Sequence, residues 1–585
     1  MTTSLLHRLE LKIQAWVRES FPATGDGPWV STCQDERYGH FQTNWAMVSA
    51  KALKLPPRDL AQKLVDAFQS DPELLAPVIA GPGFVNFTFK NEAMIASLTT
   101  LGRDERLGIR HVDKPLRVLL DFSSPNVAKQ MHVGHIRSTI LGETLSRILK
   151  SLGHRVVKDN HLGDWGTQFG MVILGYKRGG NESSLREDPF AHLESLYKAV
   201  QEETKTNEAT LAQARLELLK LQQGDPENRK LWEIFIELSK KDIERIYERL
   251  DIRFDYTLGE SFYNDLLPGV VREMKEKGIA RESEGAVAVF SDHSLPPKSD
   301  PFVVMEKGGT VKDYPFIIQK SDGAYLYGTT DLATIKYRIE ELKIQRSIYV
   351  TDSRQQQHFN QLFATVKRWG LEIELEHVWF GTILGPDKTP IKTREGKPIK
   401  LKELLDESEQ RASHILQEKR PEMDPEKQKA IARVMGLGAL KYADQAQNRN
   451  LDYVFDWDKM LAFDGNTAPY LINAYVRTRS ILRKAGPPDK NLPLTLEHDV
   501  EWELARKLLA YGDVLASVSQ EYRPHLLCSY LYETASLFHR FFENCPVLRA
   551  ESESLKNSRL MLSSLTGDIL KSGLWHLGIE TVEEM

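Results

Sequence analysis

Cysteine is scarce. The 585 residues hold three, Cys33, Cys528 and Cys545. None belongs to a C-x-x-C pair, which excludes a zinc ribbon or finger, and the odd, sparse set suits a reducing compartment. Long apolar runs are missing too: nothing approaches the roughly 20 residues that a membrane span needs. The N-terminus, MTTSLLHRLELKIQAW, sets Arg8, Glu10 and Lys12 among leucines, the pattern of an amphipathic helix and not of a secretory leader. The cytoplasm is therefore the expected location, with no membrane partner. Excess basic charge is also lacking, since the formal net charge is −5. Any nucleic acid must then be met by a local basic face. The common nucleotide motifs are absent: there is no GxxxxGK[ST], no strand-linked GxGxxG and no kinase set. Neither an internal repeat nor a low-complexity tail is found.

What is present is ordinary globular material, 41% hydrophobic and 27% charged, enough for several cores in about three or four domains. Residues 1–112 read as a small α+β unit. Leu5, Leu9, Ile13 and Trp16 keep helical spacing, and "GFVNFTF" (83–89) is a strand after the breaker "GPG". A charged linker ends at Pro115. "LRVLLDF" (116–122) is a buried strand, "IRSTILGETLSRILKSLG" (136–153) a helix stopped by Gly153, and "HRVVKDN" (154–160) another strand. That is a βαβ unit, the building block of a parallel doubly wound sheet. Residues 180–250 are polar and helix-rich, an insertion. The α/β pattern resumes with strand candidates at 285–290, 315–320, 324–331 and 347–352, and helices at 331–343 and 356–369. A loop rich in cations spans 384–400, and from about 402 the chain is mostly helical. The expected fold is a Rossmann-like parallel-sheet core over 113–400, an N-terminal α+β domain and a C-terminal all-α bundle over 401–585.

The stretch "SPNVAKQMHVGHIRST" (124–139) sits between the buried strand and its helix. Ligands of open α/β sheets bind outside the carboxyl ends of strands, and helix N-termini offer N–H groups to phosphate. His132 and His135 are near enough to meet one ligand. Gly134 allows close approach and Lys129 adds a point charge. A nucleoside triphosphate fits these requirements. A histidine that merely caps the loop is the plainer alternative.

"HVGH" after "SSPNVAKQM" resembles the HIGH signature of class I aminoacyl-tRNA synthetases. The longer strings "DFSSPNVAKQMHVGHIRSTILG", "DNHLGDWGTQFG", "YLYGTTDLA", "YVTDSRQQQH", "GALKYADQAQNR" and "FDWDKMLAFDGNTAPYLINAYVR", with the C-terminal "GLWHLGIETVEEM", resemble arginyl-tRNA synthetases of the bacterial type. The likeness runs through essentially the whole chain.

The resemblance implies a Mg²⁺-dependent ligase. Arginine and ATP would give arginyl-adenylate and pyrophosphate, and arginine would then pass to tRNA(Arg). His132 and His135, with Gly134, would bind ATP and stabilise its phosphates. The family's usual KMSKS loop is replaced by "PDKTPIKTREGKP" (386–398), where Lys392 and Arg394 are the catalytic candidates and Lys388 and Lys397 lie nearby. Lys129, just before the histidines, fits the lysine thought to compensate. Arginine recognition falls by resemblance to Asp121, Ser123, Asn126, His132, Tyr327, Asp331 and Gln355. The chemistry agrees, since a guanidinium carries five donors, suits paired acids and packs on aromatic rings. Asp331 as a helix N-cap is the plainer alternative. For Trp165 and Gln168 an active-site wall and a tight structural turn stand equal.

The resemblance further implies that the N-terminal unit contacts the tRNA elbow and that the C-terminal helices bind the anticodon. Tyr470, Asn473 and Arg477 share one helical face that suits splayed bases; core tyrosines beside solvated arginines would share that spacing. A monomer is expected. Activation of arginine that depends on bound tRNA is a further expectation from the family. A tRNA-binding paralogue without arginine activation, or a HIGH-type nucleotidyltransferase of a small metabolite, are the competing functions.

Overall fold

The computed structural model describes residues 4–25, 27–33, 35–127, 129–306, 308–391 and 399–585. Packing divides the chain into two units, one formed by Met1–Val112 with Leu461–Met585 and the other by Asp113–Met460.

In the first unit a four-stranded antiparallel sheet runs in the order Val30–Thr32, Phe41–Thr43, Phe84–Phe87, Val78–Ala80. The helix Leu5–Ser20 buries Leu5, Leu9, Ile13 and Val17, the stripe its spacing predicts. Five long helices follow from residue 468 to 576. The two sequence-distant parts are tied together at Asp513, a half-buried carboxylate. It accepts the Ser4 hydroxyl at 2.7 and 2.6 Å and Arg110 Nη2 at 3.1 Å. Backbones meet there as well: a Cβ on Gly512 would lie 2.1 Å from the Gly108 carbonyl oxygen. Among the described residues no helix is long and apolar enough to cross a membrane.

The second unit holds a parallel sheet in the order Glu374–His377, Arg346–Val350, Arg117–Phe122, Arg155–Asp159. Register sets Tyr349 beside Asp121 and Asp121 beside Asp159, so two carboxylates end adjacent strands. The helix Val133–Ser151 makes the crossover between the two strands that carry them, and the expected insertion forms the helices Glu182–Glu187, Pro189–Thr204, Glu208–Gln222 and Pro226–Arg249.

Two expectations change. The run 324–331 is not a strand: only Tyr325 bridges to Gln319, and a helix occupies Tyr327–Glu340. Its aromatic and β-branched residues mimic a strand, but Gly328 lets the helix start sit on the strand Phe316–Gln319, where a Cβ would meet the Phe316 ring at 2.6 Å. The helices Leu401–Lys419 and Pro425–Gln445, drawn from the sequence with the C-terminal bundle, pack within the parallel-sheet unit. Arg137 of the crossover helix meets Asp444 at 2.9 Å, both buried, and Lys441 donates to the Leu250 carbonyl at 2.7 Å.

Candidate active site

The strand Arg117–Phe122 is followed by two non-glycine residues in the left-handed region, Ser123 (φ 69°) and Ser124 (φ 44°), a conformation that needs external support. The Ser123 N–H donates to Ser138 Oγ at 2.8 Å, and that hydroxyl donates to the Val350 carbonyl at 2.6 Å. The Ser124 N–H donates to Asn160 Oδ1 at 3.1 Å. Three strands are thereby pinned to one loop. Ser123, grouped with the arginine-binding residues, is buried, and its hydroxyl is taken by Thr139 and Tyr247, each at 2.8 Å. It frames the loop. Asn126 is exposed and bridges to Gly163, whose missing Cβ leaves room for the Asn126 side chain.

The two histidines cap their own helix. His132 Nδ1 accepts the Gly134 N–H at 3.1 Å, and His135 Nδ1 accepts the His132 N–H at 3.0 Å. A ring nitrogen that accepts an N–H carries a lone pair, so a neutral ring holds its proton on Nε2. Desolvation and the nearby Arg354 and Lys129 cations lower the pKa of His132. Burial and the neighbouring His132 push His135 down to about 4. At neutral pH the site therefore presents two uncharged rings, each with an Nε2–H donor on its far side. Gly134 is required by the His132 ring itself, which a Cβ would approach to 2.8 Å.

Tyr327 and Asp331 lie one turn apart on the helix Tyr327–Glu340, whose N-cap is Leu326, so Asp331 is not the cap. Tyr327 is 70% exposed. Asp331 accepts His358 Nε2 at 2.6 Å, and Gln355 precedes that histidine's helix. Glu260 adds a second acid to this corner: burial, Asp331 and Asp164 push its pKa up to about 8. Asp164, buried and raised by that burial, is held by the Ser261 N–H and hydroxyl at 2.9 and 2.7 Å. Acids that crowd one another in this way raise one another's pKa. Asp121 is differently engaged. The fully buried Arg338 donates to Asp121 Oδ2 at 2.6 Å and to Asp159 Oδ2 at 2.8 Å.

Asp121, Asp159 and His161 bring ligand atoms within 4.8 Å of one another. With Arg338 already against both carboxylates, this group does not fit a resident divalent ion.

Lys129 lies over the Tyr197 ring of the insertion, with its ammonium 4.8 Å from the centroid. Lys392, Arg394 and Lys397 lie outside the described residues. The chain on their far side is stapled to the histidines: the Val133 N–H donates to the Ile399 carbonyl at 2.9 Å and the Leu401 N–H to that of Met131 at 2.8 Å. The glycine loop after Asn160 reads as framework, since Gln168 donates to the Gly163 carbonyl at 3.2 Å and Trp165 packs edge-on against Trp232. In the other unit, Tyr470, Asn473 and Arg477 share the helix Ala468–Ala485. Tyr470 packs with Tyr532 and His539. Arg477 lines a cavity of about 300 Å³ with Lys484, Arg549, Phe542 and Leu548, cations around an apolar floor.

Three family models match the chain: the arginyl tRNA synthetase N terminal domain over residues 7–89, the catalytic domain of the class I (R) tRNA synthetases over 98–457, and the DALR anticodon binding domain over 471–585. The chain belongs to the arginyl-tRNA synthetase family. It is 44% identical to the arginine–tRNA ligase of Azotobacter vinelandii over 95% of both chains, and 42% identical to that of Edwardsiella ictaluri over 98% of both. The fold superposes on the crystal structure of arginyl-tRNA synthetase from Plasmodium falciparum with TM-score 0.84, at 29% identity and full coverage of each chain.

Among the site residues, the sequence reading of this synthetase missed Glu260, Asp164, His358, Tyr197 and Arg338. His358 stood inside a quoted string, the "QQQH" of 355–358, and Asp164 inside "DNHLGDWGTQFG" of 159–170; the other three carry no local signal.

Proposed function

We propose the following division of labour for the reaction this synthetase performs, the ATP-dependent ligation of L-arginine to tRNA. The observation that carries it is the pair of neutral N–H donors at His132 and His135, in the same unit as an acidic corner where Glu260, Asp331 and Asp164 crowd one another. The guanidinium of arginine lies against Asp331 and Glu260, with Tyr327 on its face and Gln355 and Asn126 toward its polar end. A site built to pair acids with a guanidinium rejects analogues without the matching donors by roughly 10⁴–10⁵-fold. ATP enters over His132, Gly134 and His135 and brings Mg²⁺ as part of the substrate. An arginine carboxylate oxygen attacks the α-phosphorus, the bond to pyrophosphate breaks, and the Nε2–H groups share the charge that develops. Lys129 neutralises the leaving pyrophosphate, assisted by Lys392 and Arg394. The terminal ribose hydroxyl of tRNA(Arg) then attacks the adenylate carbonyl and AMP leaves. Asp121, engaged by Arg338, acts on arginine indirectly, through Ser124 and the loop. Tyr470, Asn473 and Arg477 serve the anticodon loop, and residues 1–112 the elbow. The protein works as a cytoplasmic monomer.

Arginine-dependent exchange of labelled pyrophosphate into ATP, with and without tRNA(Arg), tests this reading. Exchange that needs tRNA is the expected result. Exchange without tRNA keeps the ligase and removes the coupling. A folded protein with cognate tRNA and no exchange overturns the assignment.

A further inference from the structure

The parallel sheet reverses its order between Arg117–Phe122, which connects onward to Arg155–Asp159, and Arg346–Val350, which connects to Glu374–His377 on the other side. Ligands of such sheets bind in the crevice between the two loops at this point. The loop after the first strand carries the histidines. The loop after the second carries Asp352, Ser353, Arg354 and Gln355. We propose that Arg354 is a further catalytic residue that grips the phosphates of ATP from the side facing the histidines.

Three observations support this assignment. First, the loops converge: Ser138, one turn beyond His135, hydrogen-bonds both the Ser123 N–H and the Val350 carbonyl, so the head of the histidine helix lies across both strand ends. The Arg354 charge also reaches His132, more strongly than that of Lys129. Second, the side chain is organised and open. Asp352 accepts Nε at 2.7 Å and Nη2 at 3.1 Å, and caps the turn by accepting the Arg354 N–H at 2.8 Å. The guanidinium is thus aimed from its base, the Nη1 donors meet no partner among the described residues, and the side chain is 86% exposed. An exposed pair of this kind adds little to stability, whereas a planar fork suits phosphate oxygens. Third, the neutral histidines donate hydrogen bonds but bring no charge to a polyanion, so cations must come from elsewhere. Lys129 supplies one from the first loop and Arg354 one from the second. Successive residues of a three-residue 3₁₀ turn point about 120° apart, so Gln355 can face arginine while Arg354 faces ATP.

The inference rests on reading this crevice as the ATP site, so wild-type exchange with arginine and tRNA(Arg) is measured alongside. No exchange by the wild type means the reading itself has failed. Given wild-type activity, R354A and R354K are compared by steady-state exchange with ATP, pyrophosphate and arginine varied in turn. R354A is expected to lower kcat/KM for ATP roughly 10- to 100-fold, leave KM for arginine within about twofold and melt at the wild-type temperature. R354K should recover part of the loss, because it restores charge without the fork. A kcat/KM for ATP within about twofold of wild type in R354A overturns the proposal. So does a defect confined to arginine.

Discussion

Arginine binding should be coupled to release of a proton from Glu260. Without substrate this carboxyl has its pKa pushed up to about 8 by burial and by Asp331 and Asp164, so at pH 7 about nine-tenths of molecules carry it protonated. A guanidinium placed between Glu260 and Asp331 supplies the missing positive charge and returns the group toward the ordinary carboxylate range. The direction follows from linkage. The bound state holds fewer protons than the free state, so affinity rises with pH up to about 8 and levels off above it. Each pH unit below 8 weakens binding about tenfold, or about 1.4 kcal/mol. Roughly 0.9 proton should leave per arginine bound at pH 7. Titration calorimetry at pH 7 in two buffers of different ionisation enthalpy reads that number directly, with tRNA(Arg) included if binding requires it. Dissociation constants at pH 6, 7 and 8 read the slope. The variant E260Q should bind more weakly at pH 8 and lose most of the slope. Equal heats in both buffers, together with a flat profile from pH 6 to 8, would refute the reasoning.

Two further outcomes follow from contacts around the loop. The cation–π contact of Lys129 with Tyr197 is worth about 0.5–2 kcal/mol; Y197L should therefore lower the exchange rate by roughly 2- to 30-fold while Y197F stays near wild type, and equal rates in the two variants would remove Tyr197 from any role in holding the lysine. Arg338 neutralises two buried carboxylates, so R338M should lose about 3–5 kcal/mol in urea denaturation at pH 7. Asp159 already has a raised pKa through burial, and without Arg338 it protonates more readily still. The gap to wild type should narrow as pH falls, and a constant gap between pH 7 and 5 would count against the pair as its cause.

Local order was well legible in the sequence. The βαβ unit, the helix from Val133 and the loop between them follow from periodicity and from residues a few positions apart. The acidic corner was not legible, because Asp164, Glu260 and Asp331 come from three distant segments. Each taken alone is an unremarkable acid. Asp331 was named through resemblance, and Glu260 acquires its meaning only beside it. The same limit explains the run 324–331. Its Tyr and Thr residues favour strands, and the packing of Gly328 on Phe316 decides for a helix. Burial of Ser123 beneath Tyr247 and the placement of residues 401–460 are likewise settled by partners far along the chain.

A histidine whose tautomer is set by a neighbouring side chain can be retuned by mutating that neighbour. The imidazoles at 132 and 135 are set by peptide N–H groups, those of Gly134 and His132. Every amino acid except proline supplies such a group, so the tautomers of this dyad are insulated from sequence drift in the residues around it. What drift can still alter is the room for the rings, which rests on glycine at 134. The chemistry of the site is written into the main chain, and the side chains that surround it are left free to specialise in which amino acid it accepts.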